Sequence, residues 1–369
     1  MRRPVPLYLA SFVVIGLSLT LLGPALSELR ERSDSGIAEI GVLFVAQSLG
    51  YIIGAFGGGR LLDRFDGHRV YAVFMALIAA SLLLVPVFSS LAALFMVFLV
   101  LGATTSVIDV GANALIIWHL GAEVGRSMNL LHLCFGLGAL SAPLVVGVDL
   151  EVATTAGAVL AAATAIWALL VPAPVAPTVD REEQTAVTNG LLFVAATFFF
   201  MYVGVEVGFG GWIHTYGEEL DFSSTGATWL TAVFWIAFTG GRLLSAAIVN
   251  FVRPKLVLTV ACVSAVAISA VMVVGDGALI AVWSGAVVMG LATAPQFPVM
   301  FAYLERRVRL TGSATAWFIG AAGLGGLVIP YAIGFAFDSI GARALPLASL
   351  VFSFATLAAF ANVNRRFGG

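Results

Sequence analysis

Long apolar runs recur along almost the whole chain, and they restrict the possible folds more than any other feature. Each run is about twenty residues long, which is the length of helix that crosses the ~30 Å hydrocarbon core of a bilayer. Apolar residues make up 60% of the chain and charged residues only 10%, and a soluble protein could not bury so much apolar surface. The sequence therefore predicts an all-α membrane protein with twelve transmembrane helices, near residues 7–26, 37–60, 70–88, 91–118, 125–147, 152–172, 190–215, 225–249, 255–274, 277–303, 312–336 and 344–362.

Two sequence echoes indicate that the chain is an internal duplication. The pentapeptide GGRLL occurs at Gly58–Leu62 and again at Gly240–Leu244. The tripeptide Gly136–Gly138 returns as Gly323–Gly325, shifted by nearly the same distance. Duplicated membrane bundles are the architecture of many secondary transporters, which bind substrate between the two copies.

The duplication predicts three parts along the chain. Residues 1–172 would form an N-terminal six-helix bundle, and residues 190–369 a C-terminal six-helix bundle of the same topology. The connection at residues 173–189 is rich in proline and charged residues, so we predict that it is a cytoplasmic linker.

Basic residues predict the orientation, because cytoplasmic loops of membrane proteins carry an excess of Lys and Arg. Twelve spans put fifteen of the eighteen basic residues on the side that holds both termini, and only Arg30, Arg32 and Arg343 on the other. The pattern predicts cytoplasmic termini in a multi-pass plasma membrane protein, the inner membrane in a bacterial cell. The first span follows Arg2 and Arg3 like a signal peptide, but the repeat needs it to complete the first bundle, so we expect it to be retained.

Several classes of activity are disfavoured by what the sequence lacks. Lys255, the one lysine, follows Pro254, so no phosphate-binding loop of the G-x-x-x-x-G-K type exists. The metalloprotease, C-x-x-C and nucleophile-elbow motifs are also absent. Cys134 and Cys262 lie in apolar stretches and are expected to pack as small hydrophobic residues. We therefore predict no enzyme, cofactor or metal site and no nucleic-acid partner.

Two carboxylates, Asp109 and Glu206, lie deep inside apolar spans, whereas the other acidic residues lie in loops or at span ends. A charge at the bilayer centre costs about 2.5–3.5 kcal/mol on insertion scales, so such residues are usually functional or paired. The alternative is a hydrogen-bonded carboxyl that only holds two helices together. Asn113 follows Asp109 by four residues and so shares its helical face.

Asn129 and His132 share a face of the fifth span by the same argument. With Asp109 and Asn113 of the fourth span, they would offer an acid, two amides and an imidazole to one cavity. This mixture suits a hydroxylated, uncharged ligand such as a sugar, because these groups both donate and accept hydrogen bonds. Helix-to-helix hydrogen bonds are the alternative role.

The seventh span contains Tyr202 and Glu206 one helical turn apart, and then Trp212. Four glycines within eight residues predict a break in this helix, and broken helices line transporter cavities. Trp212 would stack on a sugar ring or belong to an interfacial aromatic belt. Further candidates for the cavity, each also compatible with plain packing, are Gln47, Tyr51, Trp235, Gln296 and Trp317.

The segment from Gly59 to Arg69 resembles the signature loop of the major facilitator superfamily, a transporter family of twelve helices in two halves. Its matching residues are Gly59, Asp63, Arg64, Gly67 and Arg69; the glycine after Asp63 comes one residue later than in the family pattern. The resemblance implies a cytoplasmic gate in which Asp63 caps a neighbouring helix and pairs with arginine in the outward-open state.

Within that superfamily, the stretch Asp109-Val-Gly-Ala-Asn113 followed by Arg126 to His132 resembles the branch of fucose permease and sodium-dependent glucose transporters. The resemblance implies that Asp109 contacts substrate or couples the cation and that Asn129 binds sugar. Fucose permease has a second acidic residue in span one, and Leu7–Pro24 contains none. Glu206 is the candidate for that role here.

These observations predict a monomeric secondary active transporter in the lipid bilayer. It would move a small neutral solute, a sugar, by alternating access, coupled to a gradient of H⁺ or Na⁺. Substrate contacts are expected from Asp109, Asn113, Asn129, His132, Tyr202, Glu206, Trp212, Gln47, Trp317 and Gln296, and cation coupling from Asp109 and Glu206. The alternatives are a proton-driven exporter of drugs or metabolites and a non-transporting membrane sensor.

Overall fold

The computed structural model describes residues 4–120, 124–174, 189–248, 251–305 and 312–367. Within these ranges the regular structure is helical. The α-helices are α1 (Val5–Thr20), α2 (Leu22–Ser33), α3 (Ile37–Ile40), α4 (Val42–Arg64), α5 (Gly67–Leu84), α6 (Leu91–Leu120), α7 (Val124–Val146), α8 (Leu150–Leu170), α9 (Asn189–Glu219), α10 (Ser224–Ile248), α11 (Pro254–Gly275), α12 (Leu279–Thr293), α13 (Gln296–Glu305), α14 (Gly312–Ile340) and α15 (Ala344–Phe367).

Most of these helices can cross a membrane. In the described ranges, nine helical stretches are long and apolar enough to do so, or ten if the bent pair α1 and α2 forms one span. One of the nine, Trp317–Arg366, covers most of both α14 and α15, and α7 contributes the shorter apolar helix Leu130–Val146. Each of the twelve predicted spans therefore coincides with helical structure, and the all-α fold of a membrane protein is confirmed.

The chain divides into two compact units, Met1–Asp180 and Arg181–Gly369, and the boundary falls inside the predicted linker. In the first unit α4 packs on α6, α1 on α7 and α5 on α8. In the second unit α10 packs on α12, α9 on α14 and α11 on α15. Counted by span within each unit, both sets pair the second with the fourth, the first with the fifth and the third with the sixth. The two units thus share one internal topology.

The repeated glycines allow the closest of these helix contacts. A Cβ atom on Gly138 of α7 would lie only 2.0 Å from the carbonyl oxygen of Val13 on α1, and one on Gly325 of α14 would lie 1.9 Å from that of Phe200 on α9. No side chain fits in that space, so glycine is required for the backbones to approach so closely. The echo of Gly136–Gly138 is thus explained by the same contact in each unit.

The predicted break in the seventh span is wrong, because α9 runs without interruption from Asn189 to Glu219. Its glycines accept neighbouring side chains instead: a Cβ on Gly204 would lie 2.2 Å from Ile329, and one on Gly208 would lie 2.7 Å from Ile333. Packing against α14 therefore outweighs the weak helix propensity of glycine. The breaks lie elsewhere, with a bend of 45° between α1 and α2 and an interruption between α12 and α13.

Candidate functional site

The first candidate site surrounds Asp109, which is half-buried on α6. The hydroxyl of Tyr51 on α4 donates to Asp109 Oδ2. Asn113 Nδ2, one helical turn further on, lies 2.9 Å from Asp109 Oδ1 and 2.9 Å from the backbone oxygen of Asp109. We call Tyr51, Asp109 and Asn113 the Asp109 cluster.

Close packing of α4 on α6 holds the Asp109 cluster together. A Cβ on Gly54 of α4 would lie 2.1 Å from the carbonyl oxygen of Ala103, and one on Gly102 of α6 would lie 2.0 Å from that of Gln47. Because the two backbones are this close, the Tyr51 ring reaches across to the next helix. The carboxylate receives two hydrogen bonds that fix its orientation, and it can engage a cation or a ligand hydroxyl.

On α7 the structure describes one of the two predicted polar residues. His132 is half-buried, and its ring meets that of Phe12 on α1 edge to face, with centroids 5.9 Å apart. The side chain of Asn129, like that of Arg126, lies outside the described part of the chain. A cavity shared by α6 and α7 stays a prediction.

Gln47 of α4 is buried and connects two helices. Its Nε2 donates to the backbone oxygen of Ser18 on α1 at 3.0 Å. The amide nitrogen thus has a partner inside the first unit, which fits the helix-packing role that the sequence left open. Contact with a ligand remains a prediction for the Gln47 carbonyl oxygen.

The loop predicted to be the cytoplasmic gate lies at the junction of α4 and α5. The side chain of Asp63 is outside the described residues. Asp66 caps α5, since its Oδ1 accepts a hydrogen bond of 2.9 Å from the backbone N–H of Arg69. Gly67 packs against the Leu115 side chain of α6. Of the other gate residues, Gly59 is half-buried, and Arg64 and Arg69 are exposed.

His68, next in this loop, has two hydrogen-bond partners that the sequence did not suggest. Its Nε2 lies 2.7 Å from the Tyr8 hydroxyl on α1, and its Nδ1 lies 2.6 Å from the backbone oxygen of Val171 after α8. His68 is buried, at 2% exposure. The loop is therefore fixed to the ends of α1 and α8 by an imidazole.

The second candidate site surrounds Glu206 on α9. The hydroxyl of Tyr202, one turn earlier, donates to Glu206 Oε2. The same hydroxyl is hydrogen-bonded to Arg242 of α10, and the Arg242 charge acts on the Glu206 carboxylate. Arg242 also lies over the ring of Phe238, 4.7 Å from its centroid. We call Tyr202, Glu206 and Arg242 the Glu206 cluster.

Arg242 is the functional candidate that the sequence analysis missed, because the orientation argument uses it only as one of the fifteen basic residues on the cytoplasmic side. It lies inside α10 and is half-buried. Arg60, its counterpart in the first GGRLL, is exposed, and among the described residues it donates to the Phe56 oxygen of its own helix, at 3.4 Å. A sequence signal could have distinguished the two arginines. Asp63 directly follows the first GGRLL, whereas no acidic residue directly follows the second.

The remaining candidates of the second unit differ in their exposure. Trp212 is fully buried, donates from Nε1 to the Pro330 oxygen at 2.8 Å, and packs on Phe337. Gln296 is buried, and its Nε2 donates to the Ala292 oxygen at 3.0 Å. Trp235 is buried at 6% exposure, whereas Trp317 is 65% exposed. Ligand contact by these residues stays a prediction, and for Trp212 the structure favours packing.

The two-unit helical fold, with carboxylates and hydroxyls inside apolar helices, is that of a membrane transporter. The chain belongs to the Major Facilitator Superfamily, whose family model matches residues 8–330. It is therefore a multi-pass membrane transporter and not an enzyme.

Curated relatives agree with the predicted branch. The chain is 26% identical over 374 residues to sodium-dependent glucose transporter 1A of Mus musculus, covering 88% of this chain and 87% of the relative. It is 26% identical over 373 residues to sodium-dependent glucose transporter 1 of Homo sapiens, covering 88% of this chain and 72% of the relative. The resemblance stated from the Asp109 and Arg126 stretches is confirmed.

Solved structures share the fold at lower identity. The nucleoside transporter NupG superposes with a TM-score of 0.73 at 16% identity, with all of both chains covered. A bacterial homologue of the human lysosomal transporter Spinster, in an inward-facing and occupied conformation, gives a TM-score of 0.79 at 12% identity, covering 100% of this chain and 98% of that one. The major facilitator fold is confirmed along the whole chain.

Proposed function

We propose that this transporter moves a small neutral sugar and couples its movement to a gradient of H⁺ or Na⁺ through Asp109. The observation that carries the proposal is the Asp109 cluster, a carboxylate held by a phenol and an amide inside an apolar helix. A carboxylate in an apolar helix is costly in a membrane, so such residues usually have a function. A bound cation can replace the hydrogen bonds that the Asp109 carboxylate accepts. The relatives named as sodium-dependent glucose transporters support a sugar as the solute and Na⁺ as one of the two candidate cations.

In the proposed cycle the protein alternates access to the two sides of a plasma membrane, with both termini in the cytoplasm. Cation binding at Asp109 neutralises the carboxylate when the sugar binds, and only the empty or the fully loaded carrier reorients. Asn113, Asn129 and His132 supply hydrogen bonds to the sugar hydroxyls, and the segment from Gly59 to Arg69 forms the cytoplasmic gate. Glu206 takes part in coupling only if its partner Arg242 releases it. The transporter is proposed to act as a monomer.

The test is uptake of labelled neutral hexoses into proteoliposomes with an imposed Na⁺ or pH gradient. We expect one of the gradients to drive accumulation. Asp109→Asn should abolish accumulation while leaving exchange of labelled for unlabelled sugar across the membrane. The matched control is Asp338→Asn, which changes an exposed carboxylate of α14 and should leave uptake unaltered.

The same assay separates the alternatives. Full gradient-driven uptake by Asp109→Asn would contradict the role of Asp109. Transport of a nucleoside, which also carries sugar hydroxyls, in place of any hexose would contradict the proposed solute. Expulsion of an amphipathic cation without hexose uptake would indicate an exporter. Sugar binding without exchange would indicate a sensor.

A further inference from the structure

The tenth span is interrupted in the middle of the second unit. Helix α12 ends at Thr293 and α13 begins at Gln296, with Ala294 and Pro295 between them. Pro295 has no N–H, so the carbonyl four residues earlier, that of Leu291, loses its regular helical partner. Broken helices in transporters expose backbone carbonyls and the negative end of a helix dipole, and both attract cations.

A narrow cavity lies beside this break, wholly inside the second unit. It is too small for a water molecule, and a dehydrated sodium ion is smaller than water. Six polar side chains from five helices line it. They are Tyr202, Cys262, Thr293, Gln296, Ser353 and Thr356, and we call the space the Thr293 cavity.

The hydroxyls of the Thr293 cavity are available as acceptors. Thr293 Oγ1 donates its proton to the Met289 oxygen at 2.8 Å, and Thr356 Oγ1 donates its proton to the Phe352 oxygen at 2.8 Å. Because each proton is used within its own helix, the lone pairs of both oxygens are left for another partner.

Two further oxygens of the cavity are accessible to a ligand. Gln296 uses its Nε2 within its own helix, and its Oε1 has only the weak Cys262 thiol donor, with sulfur 3.8 Å away. Ser353, one turn before Thr356 on α15, is 2% exposed. Its Oγ has no hydrogen-bond partner among the residues that the structure describes. A buried hydroxyl without a partner is costly, and a ligand in the cavity would satisfy it.

The lining of the cavity suits a monovalent cation. Tyr202, which lines it, is hydrogen-bonded to Glu206 and Arg242, and neither of these two residues lines the cavity itself. The C-terminal end of α12, which is the negative end of its helix dipole, lies at the cavity through Thr293. Neutral hydroxyl and amide oxygens suit a hard cation, and a cluster without a carboxylate is too weak for Ca²⁺ or Mg²⁺. The hydroxyl and amide groups of the cavity do not titrate near neutral pH, so they cannot bind a proton in place of the cation.

We propose that the Thr293 cavity is a Na⁺ site, with oxygen ligands from Thr293, Gln296, Ser353 and Thr356. The site is separate from Asp109, which lies in the other unit. It deepens the proposed function, because it rests on cation-coupled transport and identifies Na⁺ as one of the coupled ions. Na⁺ bound there stabilises the broken span by joining α12 and α13 to α15.

The test is the melting temperature of the detergent-purified protein at rising NaCl, with choline chloride keeping the ionic strength constant. A ligand that binds only the folded state raises the melting temperature in a saturable way. We expect this rise with Na⁺ and not with K⁺, both in the wild type and in Asp109→Asn. Ser353→Ala and Thr356→Val should require on the order of tenfold more Na⁺ for the same rise.

Two variants control for loss of folding. Thr356→Ser keeps the hydroxyl and should keep the Na⁺ affinity. Thr231→Val removes a buried hydroxyl of α10 that bonds its own helix at 2.9 Å in the same way, but that does not line the cavity, so its Na⁺ response should equal that of the wild type.

A Na⁺ response that is absent from the wild type would overturn the proposal. So would a response that disappears in Asp109→Asn and persists in Ser353→Ala and Thr356→Val. Failure of hexose uptake with an intact, cavity-dependent Na⁺ response would contradict the proposed solute and leave the cation site supported.

Discussion

Tyr51 donates its hydroxyl proton to the carboxylate of Asp109, 58 residues later in the chain. The bond joins α4 to α6 in the first unit, where glycines bring the two helices into backbone contact. Asp109 is the only carboxylate deep in the fourth span, and no local sequence pattern indicates that Tyr51 is its hydrogen-bond donor. The coupling chemistry proposed for Asp109 therefore depends on the contact between these two helices.

Tyr51→Phe should strengthen binding of the driving cation. The phenol stabilises the free carboxylate, so its loss favours the state in which a cation neutralises the charge. A hydrogen bond to a charged group contributes about 1.5–3 kcal/mol, so the half-saturating cation concentration should fall about tenfold or more. Gradient-driven uptake at varied cation concentration measures it. Tyr331→Phe, at a tyrosine that is 43% exposed, is the control, and an equal shift there would refute the prediction.

Arg242→Gln should destabilise the second unit, because Tyr202 and Glu206 lose a charged partner. The expected cost is about 2–3 kcal/mol, measured as thermal unfolding in detergent. Glu206→Gln should recover part of this loss in the double variant, since the remaining charge is removed. Arg60→Gln, the equivalent change in the first GGRLL, should cost less than about 0.5 kcal/mol. Equal effects at the two arginines would show that the Glu206 cluster is not energetically coupled.

Gly138→Ala should disrupt the first unit, since the added Cβ would meet the Val13 oxygen at 2.0 Å. Overpacking of this kind costs about 1–3 kcal/mol or more, because the neighbour is backbone and cannot rotate away. Gly240→Ala is the matched control, with no atom within 4 Å of the added carbon, and it should be neutral or stabilising by up to about 1 kcal/mol. Melting temperatures compare the two. A tolerated Gly138→Ala would contradict the close contact of α1 and α7.

Trp212→Phe should lower stability without weakening the affinity for sugar. The substitution leaves the buried Pro330 oxygen without its indole donor, at a cost of about 1–3 kcal/mol. Thermal unfolding and the KM for uptake, measured on the same preparation, separate packing from ligand stacking. A raised KM with unchanged stability would instead support the sequence-based expectation that Trp212 stacks on the sugar.

Asp276→Asn should lower the melting temperature slightly at neutral pH and not in acid. Arg343 donates two hydrogen bonds to this exposed carboxylate, at 2.9 and 2.7 Å, and holds the pKa of Asp276 below its usual value. A lowered pKa means that the stabilisation is complete above the unfolded value of about 3.9 and is lost as the pH falls below it. The difference between wild type and variant should therefore vanish in strong acid, and should shrink at high salt. A difference that grows in acid would contradict this.

Much of the architecture follows from local sequence. The lengths of the apolar runs predicted the spans, and the two echoes predicted the duplication, because hydrophobic length and repetition can be read without knowing any contact. The pairs Asp109 with Asn113 and Tyr202 with Glu206 were also predictable, since residues four apart on a helix share a face. The break expected in α9 was not found, because glycine content alone does not show whether a neighbouring helix fills the space.

Only the tertiary structure decided which side chains from different helices meet. The sequence by itself determined the class of protein: lipid-length apolar helices, two copies of one unit and two intramembrane carboxylates. Packing decided that Tyr51 bonds Asp109, that Arg242 joins the Glu206 cluster while Arg60 stays exposed, and that hydroxyls of α12 and α15 share a cavity with Gln296. The physical reason is that helical periodicity fixes neighbours within a helix, whereas contacts between helices depend on how closely glycines allow the backbones to approach.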